Sequence, residues 1–263
     1  MPGTGSWSAE WRTLQRVVKR LDVQTVTVLI VAALVVILQM QFGDRRLFRM
    51  EIAPALGIGN PGLWSWGWWF GMQGVLGFLL PVALLRFVFG QSVQDMGLGL
   101  GDIRLALKIT AVYIPVVIAG TWILSAGSDF QAHYPHYAPA AHNWRWFLIY
   151  EGLFLFYWVG WEYLWRGFVL FGTRRTFGVY AIFVQAMPFA ILHMNKPLPE
   201  ALLSVVGGIA LGALVWRTRS FWIAVPIHAT QMLILDFWAT LRIRAGGTSG
   251  WGWDALRQAF STL

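Results

Sequence analysis

The stretch VGWEYLWRGFVL, residues 159–170, decides how the chain is read. It sets Glu162 and Arg166 in a run otherwise made of apolar and aromatic residues. In a soluble helix such a pair would be unremarkable. Here the flanking sequence, from Trp144 to Phe171, offers almost no other charge. The pair is four residues apart and therefore shares one helix face. A charge at bilayer depth is expensive, and where it occurs it is usually paired and functional. The simplest role is a helix-stapling ion pair; a site is the richer one.

Composition fixes the class. The chain has 263 residues, 57% hydrophobic and only 12% charged, with a mean hydropathy of +0.57. Several segments approach the ~20 apolar residues that cross a bilayer. They lack the period-two alternation of a barrel. Helices are then the spanning structure left, because every backbone polar group must be satisfied within the segment. The expected fold is an all-α, polytopic bundle of about seven to eight helices. It forms one integral membrane domain over 1–263, with a basic segment at 1–22 and no internal repeat. The first span, VQTVTVLIVAALVVILQMQF, is too long for a signal-peptide core and reads as a retained helix. Further spans are expected near 63–89, 104–125, 145–171, 179–194, 200–216 and 221–243, with an interfacial tail.

The net charge of +8 is scattered through short loops rather than gathered in a patch, so it argues for membrane topology and against nucleic-acid binding. With the amino terminus in the cytoplasm, Arg174, Arg175, Arg217 and Arg219 fall on the cytoplasmic side. The absence of cysteine rules out disulfides, thiolate nucleophiles and cysteine metal sites. Seventeen tryptophans suit interfacial belts and packing between helices.

Two histidines join the charged pair. His193 follows Pro188 closely, and His228 follows Pro226. Prolines bend helices, and bent backbone at membrane depth is tolerated where it lines a cavity. At about 1.5 Å per residue, Glu162 sits roughly 13 Å from the GTRR end, His228 roughly 10 Å and His193 roughly 20 Å. The three side chains can meet. Glu151 lies on the same face as Glu162, about three turns away. Gly208 and Gly212 form a small-x-x-x-small pair that lets helices approach.

In order along the chain, EYLWRG (162–167), FAILH (189–193) and His228 after RTRSFW resemble the CPBP, or ABI, family of intramembrane CAAX-protease and bacteriocin-processing proteins. DMGLGLGD, KPLPE and GGIALGALVWRTRSFW resemble its connecting segments, so the likeness covers roughly 90–240. It implies a glutamic-type intramembrane endopeptidase without cofactor or metal, residing in a bacterial inner membrane. The implied substrate is a membrane-anchored, prenylated or C-terminally tagged polypeptide. The implied catalytic residues are Glu162, His193 and His228, with Arg166 in support. Glu162 would activate water and a histidine would stabilise the oxyanion.

Two positions depart from the family pattern. The first motif usually opens with two glutamates, and Trp161 stands at the first. The last motif usually places Asn or Asp four residues after the histidine, and Met232 stands there; Gln231 and Asp236 are the nearby groups that could replace it. Two other readings therefore stand beside the peptidase. One is a zinc peptidase holding its ion on Glu162, His193 and His228, although the chain has no H-E-x-x-H. The other is an inactive scaffold or immunity protein.

Overall fold

A computed structural model describes residues 7–263; of the basic segment 1–22, residues 1–6 lie outside the described residues. The fold is all helical, with no strand among the described residues. Helix α1 is Trp7–Val18, α2 Val23–Phe42 and α3 the short run 45–55. Then come α4 Gly62–Val88, α5 Ile103–Leu124, α6 Ser128–His133, α7 Ala138–His142 and α8, residues 144–172. The chain ends with α9 Ala181–Ile191, α10 Leu198–Thr218, α11 Ala224–Arg244 and α12 Trp253–Phe260.

Five segments are long and apolar enough to cross a membrane: Val23–Ala55, Gly62–Val88, Ile103–Leu124, Leu198–Thr218 and Phe221–Arg244. Their outward faces expose Ile30, Leu34, Val112, Val116, Leu202 and Val206, an apolar surface far larger than a soluble protein tolerates. The protein is an integral membrane protein. Its two other expected spans differ in kind. Helix α9 has 11 residues, too few to cross. Helix α8 is the core of the bundle: residues 160–173 are buried without a break, so the stretch that looked made for lipid is enclosed by protein.

That enclosure depends on small residues. A Cβ at Gly160 would lie 2.1 Å from the Gln73 carbonyl oxygen, so α8 and α4 touch backbone to backbone. Gly208 and Gly212 instead make room on α10 for side chains of α9, since a Cβ would lie 3.0 Å from the Phe189 ring at the first and 2.4 Å from the Gln185 amide at the second, and the Gln185 amide donates to the Gly208 carbonyl at 2.9 Å. From Tyr163 to Val169 helix α8 is wound as a π-helix, a form frequent at functional sites.

The segment 43–62, which lies between the first two expected spans, is helical from 45 to 55. Gly43 ends α2, and Asp44 restarts the chain by accepting from the Arg46 and Leu47 amides. Pro226 differs from expectation. It lies in the first turn of α11, where a missing N–H costs nothing, so of the two prolines that precede the histidines it is Pro188 that stands inside a helix.

The loop 90–102 ties one end of the bundle together. Arg174 donates to Asp95, the Asp102 amide to the Thr218 carbonyl and the Phe221 amide to the Gly97 carbonyl. The GTRR and RTRS turns therefore lie at the same end. At the other end Arg242 is fully buried with no carboxylate partner among the described residues. It donates to Ser125 Oγ and to the carbonyls of Trp122, Thr248 and Gly250, and its guanidinium stacks 3.6 Å from the Trp122 ring.

Candidate active site

Glu162 ends the α-wound part of α8, and Arg166 sits one turn on, within the π-wound part; both are fully buried. Arg166 Nη1 donates to Glu162 Oε1 at 3.0 Å, and the guanidinium lies flat over the Phe189 ring of α9, 4.0 Å from its centroid. Its Nε and Nη2 have no partner among the described residues, nor has Glu162 Oε2.

Helix α11 brings His228 to the same carboxylate oxygen: its Nδ1 is 2.6 Å from Glu162 Oε1. The depths read from the sequence differed by only a few ångströms, and the two side chains do meet. Trp158, one turn before Glu162, packs on the His228 ring at 4.2 Å between centroids. His193 comes just after α9 ends, and its Nδ1 is 2.7 Å from the Phe189 carbonyl. Phe189 lies between the two imidazoles, 4.5 Å from His193 and 6.0 Å from His228. So α8, the turn after α9 and α11 each contribute one member of the predicted set.

A cavity of about 500 Å³ opens beside them. Both histidines line it, as do Trp158, Trp161 and Met232; Glu162 and Arg166 do not. The carboxylate thus stands behind the histidines rather than in the cavity wall. Trp161 takes up the wall, packed between Tyr157 and His193. Among the described residues, no group of three His, Asp or Glu side chains is arranged to hold a metal ion.

The two substitutes considered for Met232 do not replace it. Gln231 Oε1 accepts from the Tyr113 hydroxyl at 2.6 Å, which turns it toward α5 and away from His228. Asp236 is fully buried two turns beyond His228, and both its carboxylate oxygens lack a hydrogen-bond partner among the described residues. Neither touches Glu162 or His228.

The cavity also has a polar shelf that sequence reasoning missed. Lys196 Nζ donates to the Tyr134 hydroxyl at 2.9 Å and to His136 Nε2 at 2.9 Å, while Tyr134 donates to the Glu200 carboxylate at 2.6 Å. His136 Nδ1 faces the His133 carbonyl at 2.9 Å, which fixes its tautomer: Nδ1 carries the hydrogen and Nε2 accepts. Burial, then the Lys196 ammonium, holds His136 well below the ordinary histidine range and brings His133 down to about 4. The only signal in the sequence was Lys196 and Glu200 spaced four apart in KPLPE, and no local pattern pairs them with a loop 60 residues earlier.

Residues 142–234 match the family model described as type II CAAX prenyl endopeptidase Rce1-like. No curated protein matches the chain, and no solved structure does. The matched segment holds Glu162, Arg166, His193 and His228, and over that segment the chain is similar to this protease family, which supports the resemblance to the CPBP proteins.

Proposed function

We propose that the chain is an endopeptidase of a bacterial inner membrane, cleaving a membrane-anchored, prenylated or C-terminally tagged polypeptide by adding water to a peptide bond. The observation that carries this reading is a carboxylate, Glu162, bonded to a cavity-lining histidine, His228, with a second histidine on the same wall. A carboxylate and histidines beside a cavity are suited to proton transfer from water and to stabilising charge that develops during the reaction. Glu162 supplies the negative charge that drives water activation, Arg166 holds it in place, and the site binds no metal or cofactor. Trp158 and Trp161 give the wall an apolar surface suited to a lipidated or hydrophobic peptide.

The test is cleavage of a fluorogenic farnesylated peptide by the purified protein in liposomes. The wild type cleaves, and His228→Ala does not. Well-folded wild-type protein that cleaves neither this peptide nor an unprenylated membrane-anchored one overturns the reading.

One observation favours a second reading, a non-catalytic scaffold or immunity protein: the indole of Trp161 fills wall space beside His193. Complementation of a gene deletion by Glu162→Gln to the wild-type level would establish it.

A further inference from the structure

We propose that the proton of the attacking water is taken by His228 Nε2, and that Glu162 acts only through His228 as a positioning residue. The inference rests on the endopeptidase reading and assigns roles within it.

Three features of the geometry carry it. First, Glu162 is fully buried and absent from the cavity wall, whereas His228 is part of that wall. A base must come within about 3 Å of the water it deprotonates, directly or through one water. Second, Glu162 Oε1 is already engaged twice, by Arg166 Nη1 at 3.0 Å and by His228 Nδ1 at 2.6 Å. Third, a carboxylate oxygen can only accept, so Nδ1 of His228 carries the hydrogen. Its Nε2 then holds the lone pair. A carboxylate that fixes a histidine tautomer and stabilises the imidazolium is an established arrangement in unrelated hydrolases.

His193 obeys the same rule. Its Nδ1 faces the Phe189 carbonyl at 2.7 Å, so Nε2 is an acceptor in the neutral ring. A neutral His193 therefore cannot donate to an oxyanion through Nε2; it can accept the second hydrogen of the water and aim it. This differs from the expectation that a histidine donor stabilises the oxyanion.

The step balances. One O–H bond of water breaks and its proton goes to His228 Nε2. The oxygen forms a bond to the scissile carbonyl carbon, and the C=O π pair moves to the carbonyl oxygen. On collapse that pair re-forms C=O, the C–N bond breaks, and the proton on Nε2 passes to the leaving nitrogen. The products are an acid and an amine, and His228 returns to its neutral form.

The test has two arms, both on the full chain. In micelles with 15N-labelled histidine, the Nδ1 proton of His228 gives a downfield resonance. It is absent from His228→Gln and lost or moved upfield in Glu162→Gln. Finding His228 protonated on Nε2 instead overturns the proposal, and this arm needs no substrate. In the second arm His228→Ala, checked for an unchanged melting temperature, is treated with 1,2,4-triazole, imidazole and 4-methylimidazole. Removing a general base costs about 10²–10⁴ in rate. The small bases restore part of it, and the restored rate rises with their basicity. A rate that is flat or falls along the series, or no rescue, overturns the base role while wild-type cleavage leaves the endopeptidase reading intact. If the wild type itself cleaves nothing, that reading falls and takes the base role with it, whatever the resonance shows. Where His228→Ala does not fold, His228→Gly with imidazole present during purification replaces it under the same criteria.

Discussion

Gly160 of α8 and Gln73 of α4 meet backbone to backbone, with room for hydrogen alone between them: a Cβ on Gly160 would stand 2.1 Å from the Gln73 carbonyl oxygen and 2.7 Å from the Gly74 Cα. Backbone cannot swing aside as a flexible side chain can. Gly160→Ala is expected to destabilise the protein by about 1–3 kcal/mol through overpacking and to displace Glu162, two residues on. Gly152→Ala, on the same helix with nothing within 4 Å of its Cβ position, is the control and leaves the melting temperature unchanged. Equal melting temperatures for the two variants would refute the close contact.

Glu162→Gln should abolish cleavage while largely preserving the fold. The amide can point an N–H at His228 Nδ1 and reverse its tautomer. The variant also leaves Arg166 buried beside a neutral group, and breaking a buried pair costs about 3–5 kcal/mol. The double variant Glu162→Gln/Arg166→Met removes both charges and separates the effects. It should melt close to the wild type and remain inactive. A stable double variant that still cleaves would exclude the carboxylate from the chemistry.

The polar shelf should loosen in acid. Burial depresses the pKa of both His133 and His136, to about 4 for His133. The unfolded chain therefore takes up their protons near pH 6.5, before the folded protein does. Their contribution to stability is complete above that pH. It is lost as pH falls from about 6.5 toward 4, the window set by His133. Protonation of His136 also costs Nε2 its role as acceptor for Lys196. The melting temperature should drop between pH 7 and pH 5, and the drop should be smaller in His133→Gln/His136→Asn. An equal drop in that variant would point to other groups.

Because the chain has no cysteine, single introduced cysteines can report topology. Arg175→Cys and Arg217→Cys sit on turns at one end of the bundle, bridged by the loop 90–102. Both are expected to resist membrane-impermeant maleimide in intact cells and to react in inverted vesicles, as the positive-inside bias requires. Labelling of one but not the other in intact cells would contradict the shared end. Labelling of both would reverse the orientation.

The ion pair, the two histidines and the glycine pair of α10 were legible because each rests on local chemistry: spacing of four on a helix, a polar group too costly to face lipid, a small residue where helices cross. Helix limits such as Val23–Phe42 came from apolar length and flanking polar residues. What escaped was non-local. That α8 is wrapped by protein rather than lipid depends on Gly160 meeting Gln73, and no pattern within either helix announces it. The helix at 45–55 was hidden by its charges and by the glycines that flank it, although Asp44 is a favourable cap. The Tyr134–Lys196–Glu200 shelf joins segments 60 residues apart and forms only once α9 and α10 have folded back. Asp236 looked like a substitute for Met232 because helical spacing gives its face but not its neighbour.

The π-wound run from Tyr163 to Val169 sets the direction in which the last turn of α8 faces. An α-helix advances about 100° per residue, and a π turn accommodates an extra residue. The run therefore resets the rotational phase of α8, so that residues beyond Val169 point in a direction an uninterrupted α-helix would not give them. Gly172 depends on that phase: its carbonyl accepts from Gln24 at 2.8 Å, and its Cβ position would be 2.8 Å from a Val28 methyl. Rewinding the run as regular α-helix at unchanged length would turn Gly172 away from α2 by about a quarter of a revolution. The run thus works as a phase shifter between two halves of one helix, one half aimed at the histidines and the other keyed to α2.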